Sequence, residues 1–233
     1  MNKLSPIKIL LLASSLCLGS QLVHAETIVS YDISDLTTND QTSLAADASA
    51  AGITAGNLTA SNDLVVDANK DEFVFSGWDG TAEGAASTEY FSFSFDVANG
   101  TNVDLTSLTY TARASTQGPG TLGLYWDYGS DNFSTLLGSF SPGANTNFSV
   151  NLDLSGAATI VGSGQTIEFR LIEVGNTQAD GTGGTTSNGT TWIRSSSLFN
   201  LNGTVTVVPE PSSYALLGGC IALVWVMVRR RRS

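Results

Sequence analysis

Strict alternation governs the middle of this chain. In TEYFSFSFDVA, Phe91, Phe93, Phe95 and Val97 take every second position, with Tyr90, Ser92, Ser94 and Asp96 between them. A period of two puts one set on each face of a β-strand, the apolar face toward a core and the polar face toward water. The period recurs in TLGLYWDY, where Leu122, Leu124, Trp126 and Tyr128 share a face, and in QTIEFRLIEV, where Ile167, Phe169 and Leu171 oppose Glu168 and Arg170. SLFNLNGTVTV sets Leu201, Val205 and Val207 on one side. Further strands are expected around 27–33, 72–77, 103–112, 134–140 and 146–152. Asn99-Gly100, Gln117-Gly118-Pro119-Gly120, Ser141-Pro142-Gly143 and Gly162-Ser163-Gly164 mark turns between them. Roughly eight to ten short strands, each with one dry face, predict an all-β fold: an antiparallel β-sandwich of jelly-roll-like type. A β-solenoid is the alternative, but no fixed repeat supports it. The alanine-rich stretch 38–52 reads as a short helix or a loop, and 175–190 as a flexible surface loop.

Cys17 and Cys220 sit in apolar runs at opposite ends, and the only histidine is His24, so 26–208 holds no Cys, His or Met. That excludes disulfides, thiolate or imidazole metal sites and nucleophile systems built on Cys or His. The same segment sets 20 acids against Lys70, Arg113, Arg170 and Arg194, a net charge of −16. So acidic a body repels phosphate backbones, and nucleic acid is not an expected partner.

The ends have a different character. Lys3 and Lys8, the apolar stretch 9–18, and Val23 and Ala25 at the exit form the layout of a secretory signal peptide cleaved after Ala25 by signal peptidase. At the other end come Pro209-Glu210-Pro211, the apolar run 212–228, and Arg229, Arg230, Arg231 and Arg232. As a helix that run spans about 25 Å, the lower limit for a bilayer. The arginines suit the cytoplasmic side as a membrane-stop cluster. The prolines hold the triplet extended beside the membrane.

Triplet, span and arginines, in that order at the C-terminus, resemble the PEP-CTERM sorting signal of Gram-negative bacteria over residues 209–233. The resemblance implies a single C-terminal transmembrane helix and transient anchoring in the inner membrane. It further implies an exosortase that reads Pro209, Glu210 and Pro211 and sends the protein to the cell surface or an exopolysaccharide matrix. The stretches SGWDG to QGPG and EFRLIEVG resemble the jelly-roll-like body common in exported proteins of this kind. The organisation expected is a leader at 1–25, an ectodomain at 26–206 and a sorting signal at 207–233.

Within the ectodomain, Trp78, Tyr125 and Trp192 are the candidate ligand-binding aromatics. Trp78 and Trp192 flank glycine-rich loops, whereas alternation points Trp126 and Tyr128 inward. Asp67, Asn69 and Asp71 alternate as Ca²⁺ ligands do, and Asp127 and Asp131 form a second candidate set. The EF-hand pattern fails, with Glu72 where its glycine belongs and Trp78 where its bidentate Glu belongs; a solvated acidic turn is the other reading. No cofactor beyond structural Ca²⁺ is implied. The function expected is that of an exported, non-enzymatic surface or matrix protein. A carbohydrate-binding module is the alternative, and a carboxylate-pair glycoside hydrolase the third reading.

Overall fold

The computed structural model describes residues 24–36, 41–67, 72–80, 82–162, 164–186, 188–208 and 211–230, with the side chains of 24–25 and 211–217 outside the description. Its strands are β1 (His24–Tyr31), β2 (Ser43–Leu44), β3 (Ala48–Ser49), β4 (Ile53–Ala55), β5 (Leu58–Ala60), β6 (Val65–Val66), β7 (Phe73–Ser76) and β8 (Tyr90–Val97). They continue with β9 (Thr101–Ala114), β10 (Leu122–Asp127), β11 (Thr135–Phe140), β12 (Phe148–Asp153), β13 (Ile160–Val161), β14 (Thr166–Glu173), β15 (Thr191–Ile193) and β16 (Phe199–Val207).

Two sheets result. One runs β3-β1-β16-β9-β15-β7-β6, with β12 and β13 also paired to β9; the other runs β11-β10-β14-β8-β5-β2, with β4 on β8. The eight main strands pair antiparallel in a nested series: β1 with β16, β8 with β14, β9 with β12, and β10 with β11. Each sheet thus holds alternate pairs of one folded ribbon, β1-β16-β9-β12 facing β8-β14-β10-β11. That is the jelly-roll order, and the expected antiparallel sandwich is present. The four glycine-marked turns are not hairpins: each carries the chain from one sheet to the other. Ser163 itself lies outside the described residues. The hairpin at the ribbon's tip is β10–β11, closed beyond the Trp126–Thr135 pair.

Alternation builds the core. Phe91, Phe93, Phe95, Ile167, Phe169 and Leu171 of one sheet meet Tyr31, Phe73, Phe75, Leu108, Phe199 and Leu201 of the other. Ring pairs cross the gap between Phe93 and Phe199 (5.1 Å), Phe93 and Tyr31 (6.4 Å), and Phe91 and Phe75 (5.5 Å). Each contributes about 0.5–1.5 kcal/mol beyond its burial. Val207, expected on the dry face, is exposed because β16 runs past the end of the core.

Among the described residues, 38–52 forms no helix: β2 joins β5 and β3 adds to β1 opposite Val29 and Ser30. Its small side chains fit a sheet edge, where alanine's helix propensity is outweighed by pairing. Of the expected leader, 1–23 lies outside the described residues, while His24 and Ala25 pair with Val205 and Thr204. Pro209, Glu210 and 231–233 are likewise outside. A helix, Pro211–Arg230, closes the described chain, and its residues 218–230 are all exposed. Among the described residues, no helix is long and apolar enough to cross a membrane. The first part of the expected span, 212–217, has no described side chains.

Candidate functional site

The hairpin between β10 and β11 concentrates backbone strain. Of the described non-glycine residues at positive φ, Ser130 (75°), Asn132 (50°) and Phe133 (55°) lie in this one turn. A bulky side chain is rarely found there, at a cost of roughly 1–3 kcal/mol, and such outliers gather at binding sites. The turn is held by its own acids. Asp127 Oδ1 accepts from the Asn132 N–H (2.9 Å), and Asp131 accepts from the Thr135 N–H (2.9 Å), Thr135 Oγ1 (3.1 Å) and Ser134 Oγ. Burial of Asp131 is outweighed by these bonds from Ser134 and Thr135, which hold its carboxyl below the usual range.

Strain here has a packing reward. Phe133 is 4 % exposed and joins Tyr125 and Ile172 in a small apolar cluster on the outer face of the sheet, with Tyr90 and Val174 at its edge. The Arg170 guanidinium lies between the Phe133 ring (3.8 Å) and the Tyr90 ring (4.0 Å) and pairs with Glu168 Oε1 at 2.9 Å. Cation–π contacts of this kind lock both rings in place.

A 3₁₀ turn, Gly84–Ala86, faces the hairpin. Gly84 adopts φ +60°, and a Cβ there would stand 2.8 Å from the Phe133 carbonyl, so only glycine allows this approach. Glu83 ties the turn down: its Oε1 accepts from the Gly175 N–H (2.7 Å) and its Oε2 from the Tyr125 hydroxyl (3.4 Å). Burial, then the neighbouring Glu83 charge, pushes the Tyr125 phenol up. Between turn and hairpin lies an open groove of about 510 Å³, with Tyr125 and Phe133 as floor and Glu83, Asp131, Asn132 and Ser134 on its sides. Small-molecule sites span roughly 300–1,000 Å³.

The sequence candidates fare unequally. Tyr125 is in the groove, on the face opposite Leu124 and Trp126. Trp78 is not a surface platform: it is 0 % exposed, its Nε1 donates to the Phe75 carbonyl (3.2 Å), and its ring meets Phe91 edge-on at 5.2 Å. Trp192 is buried in β15 beneath the Arg113 guanidinium (5.2 Å). The flanking glycines shape the backbone; Trp78 belongs to the core, whereas Trp192 is on the other face of β15 from the core residue Ile193. Asp127 and Asp131 are occupied in fixing the hairpin. Asp67 bonds through its N–H to the Val74 carbonyl (2.9 Å), while Asn69 and Asp71 lie outside the described residues. Among the described residues, no three His, Cys, Asp or Glu gather as a metal site. Glu83 was not singled out by sequence, since one acid among many carries no signature.

No protein-family model and no curated protein matches the chain. Among solved structures, a mutant of the carbohydrate-binding module CBM29-2 complexed with cellulohexaose has a TM-score of 0.35 at 12% identity, over 80% of this chain and 93% of that one. CBM29_1, a family 29 carbohydrate-binding module from Piromyces equi, reaches 0.29 at 10% identity, over 78% and 91%. The isomalto-dextranase of Arthrobacter globiformis T6, complexed with panose, reaches 0.27 at 12% identity, over 80% of this chain and 32% of that one. Likeness this slight carries no argument about ligand or reaction, and the fold rests on the strand pairing alone.

Proposed function

We propose that this chain is an exported surface protein whose sandwich is a glycan-binding module, with the groove between Glu83 and Phe133 as its site. The groove itself carries the reading. Sugars are ringed by hydroxyls, and here Glu83, Asp131, Asn132 and Ser134 set carboxylate, amide and hydroxyl groups around a groove that closes on the nearly buried Tyr125 and Phe133. A strained, internally bonded hairpin holds that shape before any ligand arrives. The acidic body favours neutral over acidic glycans.

Binding is better supported than hydrolysis. A glycosidase needs one carboxyl kept protonated at the site. Asp131 is shifted the opposite way, and both Glu83 oxygens already accept bonds. Affinity electrophoresis through gels of neutral polysaccharide tests the reading. Ala86→Trp, which fills the groove from an exposed position, should weaken retention by about tenfold or more with the melting temperature unchanged. Equal retention of wild type and variant sinks it.

The exposed C-terminal helix favours a companion reading of the tail. Ile221, Leu223, Val224, Trp225, Val226 and Met227 are exposed, and Arg229 stacks over Trp225 at 5.4 Å. A helix whose described apolar side chains, within 218–230, are all exposed is suited to an apolar phase elsewhere. In this proposal 207–233 is a temporary inner-membrane handle that an exosortase removes at Pro209-Glu210-Pro211, after signal peptidase has removed the leader. Intact-mass analysis with and without the exosortase decides it: a mature product keeping 212–233 in wild-type cells refutes the handle.

A further inference from the structure

The inward series of β14 runs Ile167, Phe169, Leu171 and then Glu173, so a carboxyl takes a core position at the mouth of the sandwich. Glu173 is 2 % exposed. Gly80 presses against it: a Cβ there would lie 3.0 Å from the Glu173 carboxyl carbon. Two carboxylates of the 77–89 segment, Glu89 and Asp79, repel it, while the described side chain of the 175–190 segment that bonds to it is the neutral Thr185. Neither described ion pair, Arg170 with Glu168 or Arg194 with Glu72, includes it.

Hydrogen accounting sharpens the problem. Thr185 Oγ1 lies within bonding distance of two acceptors, Glu173 Oε1 and the Thr177 carbonyl (3.3 Å), yet it has one hydrogen. Glu173 Oε2 is buried with no donor among the described residues. An ionised carboxylate here leaves a buried charge half satisfied, which is far costlier than a buried neutral oxygen.

We infer that Glu173 is held as a neutral acid in the folded protein and serves as a proton-dependent latch between β14 and the 175–190 loop. Its Oε1–H donates to Thr185 Oγ1, whose own hydrogen goes to the Thr177 carbonyl, and Oε2 remains as the carbonyl oxygen. Loss of the proton to solvent returns the Thr185 hydrogen to Glu173, frees the Thr177 carbonyl and sets a charge against Glu89 and Asp79. Asn176 Oδ1, which accepts from the Thr185 N–H (2.7 Å), lies in the same loop, so the loop loosens as one piece. The inference is independent of the glycan reading.

Burial first, then Glu89 and Asp79, pushes the carboxyl up to about 7, against the opposing Thr185 bond. The folded value is thus raised above the ordinary 4.5. The latch's contribution is complete below that ordinary value and is lost as pH rises through the folded one.

The test uses the full chain in detergent, comparing wild type with Glu173→Gln, whose amide donates to Thr185 without ionising. Cleavage within 175–190 by a nonspecific protease should quicken in the wild type by about tenfold or more between pH 5 and pH 8.5, and stay flat in the variant. Carboxyl-labelled glutamate NMR of the wild type should show one side chain titrating near neutrality, which needs no variant to fold. Parallel cleavage profiles in the two proteins, or no glutamate titrating above pH 6, overturn the latch. A calcium-induced rise in the wild type's melting temperature at pH 8.5 that is absent from Glu173→Gln also overturns it, assigning the missing positive charge to a cation.

Discussion

The sandwich and the C-terminal helix are both rich in apolar residues and treat them in opposite ways. In β8 every second side chain is apolar, and all four of those are buried. In the helix the apolar residues from Ile221 to Val228 are continuous, and every one is exposed. Alternation gives a strand a wet face and a dry one, so the chain can cover its own grease. A helical stretch that is apolar on every side has no separate wet face. The charges follow the same division: the acids crowd the sandwich and the arginines cap the helix. The sandwich therefore covers its own apolar side chains, and the described side chains of the helix are left uncovered.

The sandwich depends most on Trp78. Its ring is wholly buried and packs on Phe91, and its Nε1 serves the Phe75 carbonyl. Trp78→Ala should cost about 3–5 kcal/mol of stability in urea titration, from the cavity and the stranded carbonyl. A loss below about 1 kcal/mol would show that the mouth of the sandwich is not part of its core. Next in size is Gly84→Ala, which combines positive φ with a contact that cannot stay: about 1–3 kcal/mol, and a displaced groove wall. Gly181→Ala is the control. Its φ is +79°, but nothing lies within 4 Å, so only backbone strain of about 1 kcal/mol should appear. If the two variants melt alike, the 3₁₀ turn does not press on Phe133.

How much of this was legible depended on whether one residue's neighbours in sequence decide its fate. The dry faces of β8, β10 and β14 were readable because period two is a local property. The destination of the turns was not: Asn99-Gly100 looks like a hairpin turn, yet it links strands in different sheets, a choice made by the nesting of distant strands. Trp78 and Trp192 misled for a related reason, since glycines beside an indole indicate a bend and say nothing of the ring's exposure. Tyr125 lies in the groove, and its partners Glu83 and Phe133 reach it only through tertiary packing. Glu173 did leave a trace. Continuing the inward series past Leu171 lands on a carboxylate, and a charge in a core register signals a shifted or specialised acid.

The smallest effect on stability belongs to the tail, and it tests the comparison from the other side. β16 ends with Val207 paired to Thr101, and the Val208 N–H donates to the Gly100 carbonyl at 2.6 Å. Truncation after Val208 therefore keeps every described strand pairing. None of the described helix residues it removes is buried against the sandwich. The sandwich should melt within about 0.5 kcal/mol of the full chain, the range of substitutions that touch nothing. Co-sedimentation with anionic lipid vesicles should fall to background, because the apolar helix and its arginines go together. A marked loss of stability would mean that the helix packs on the sandwich in solution. Undiminished vesicle binding would place the membrane-seeking surface on the sandwich instead of the tail.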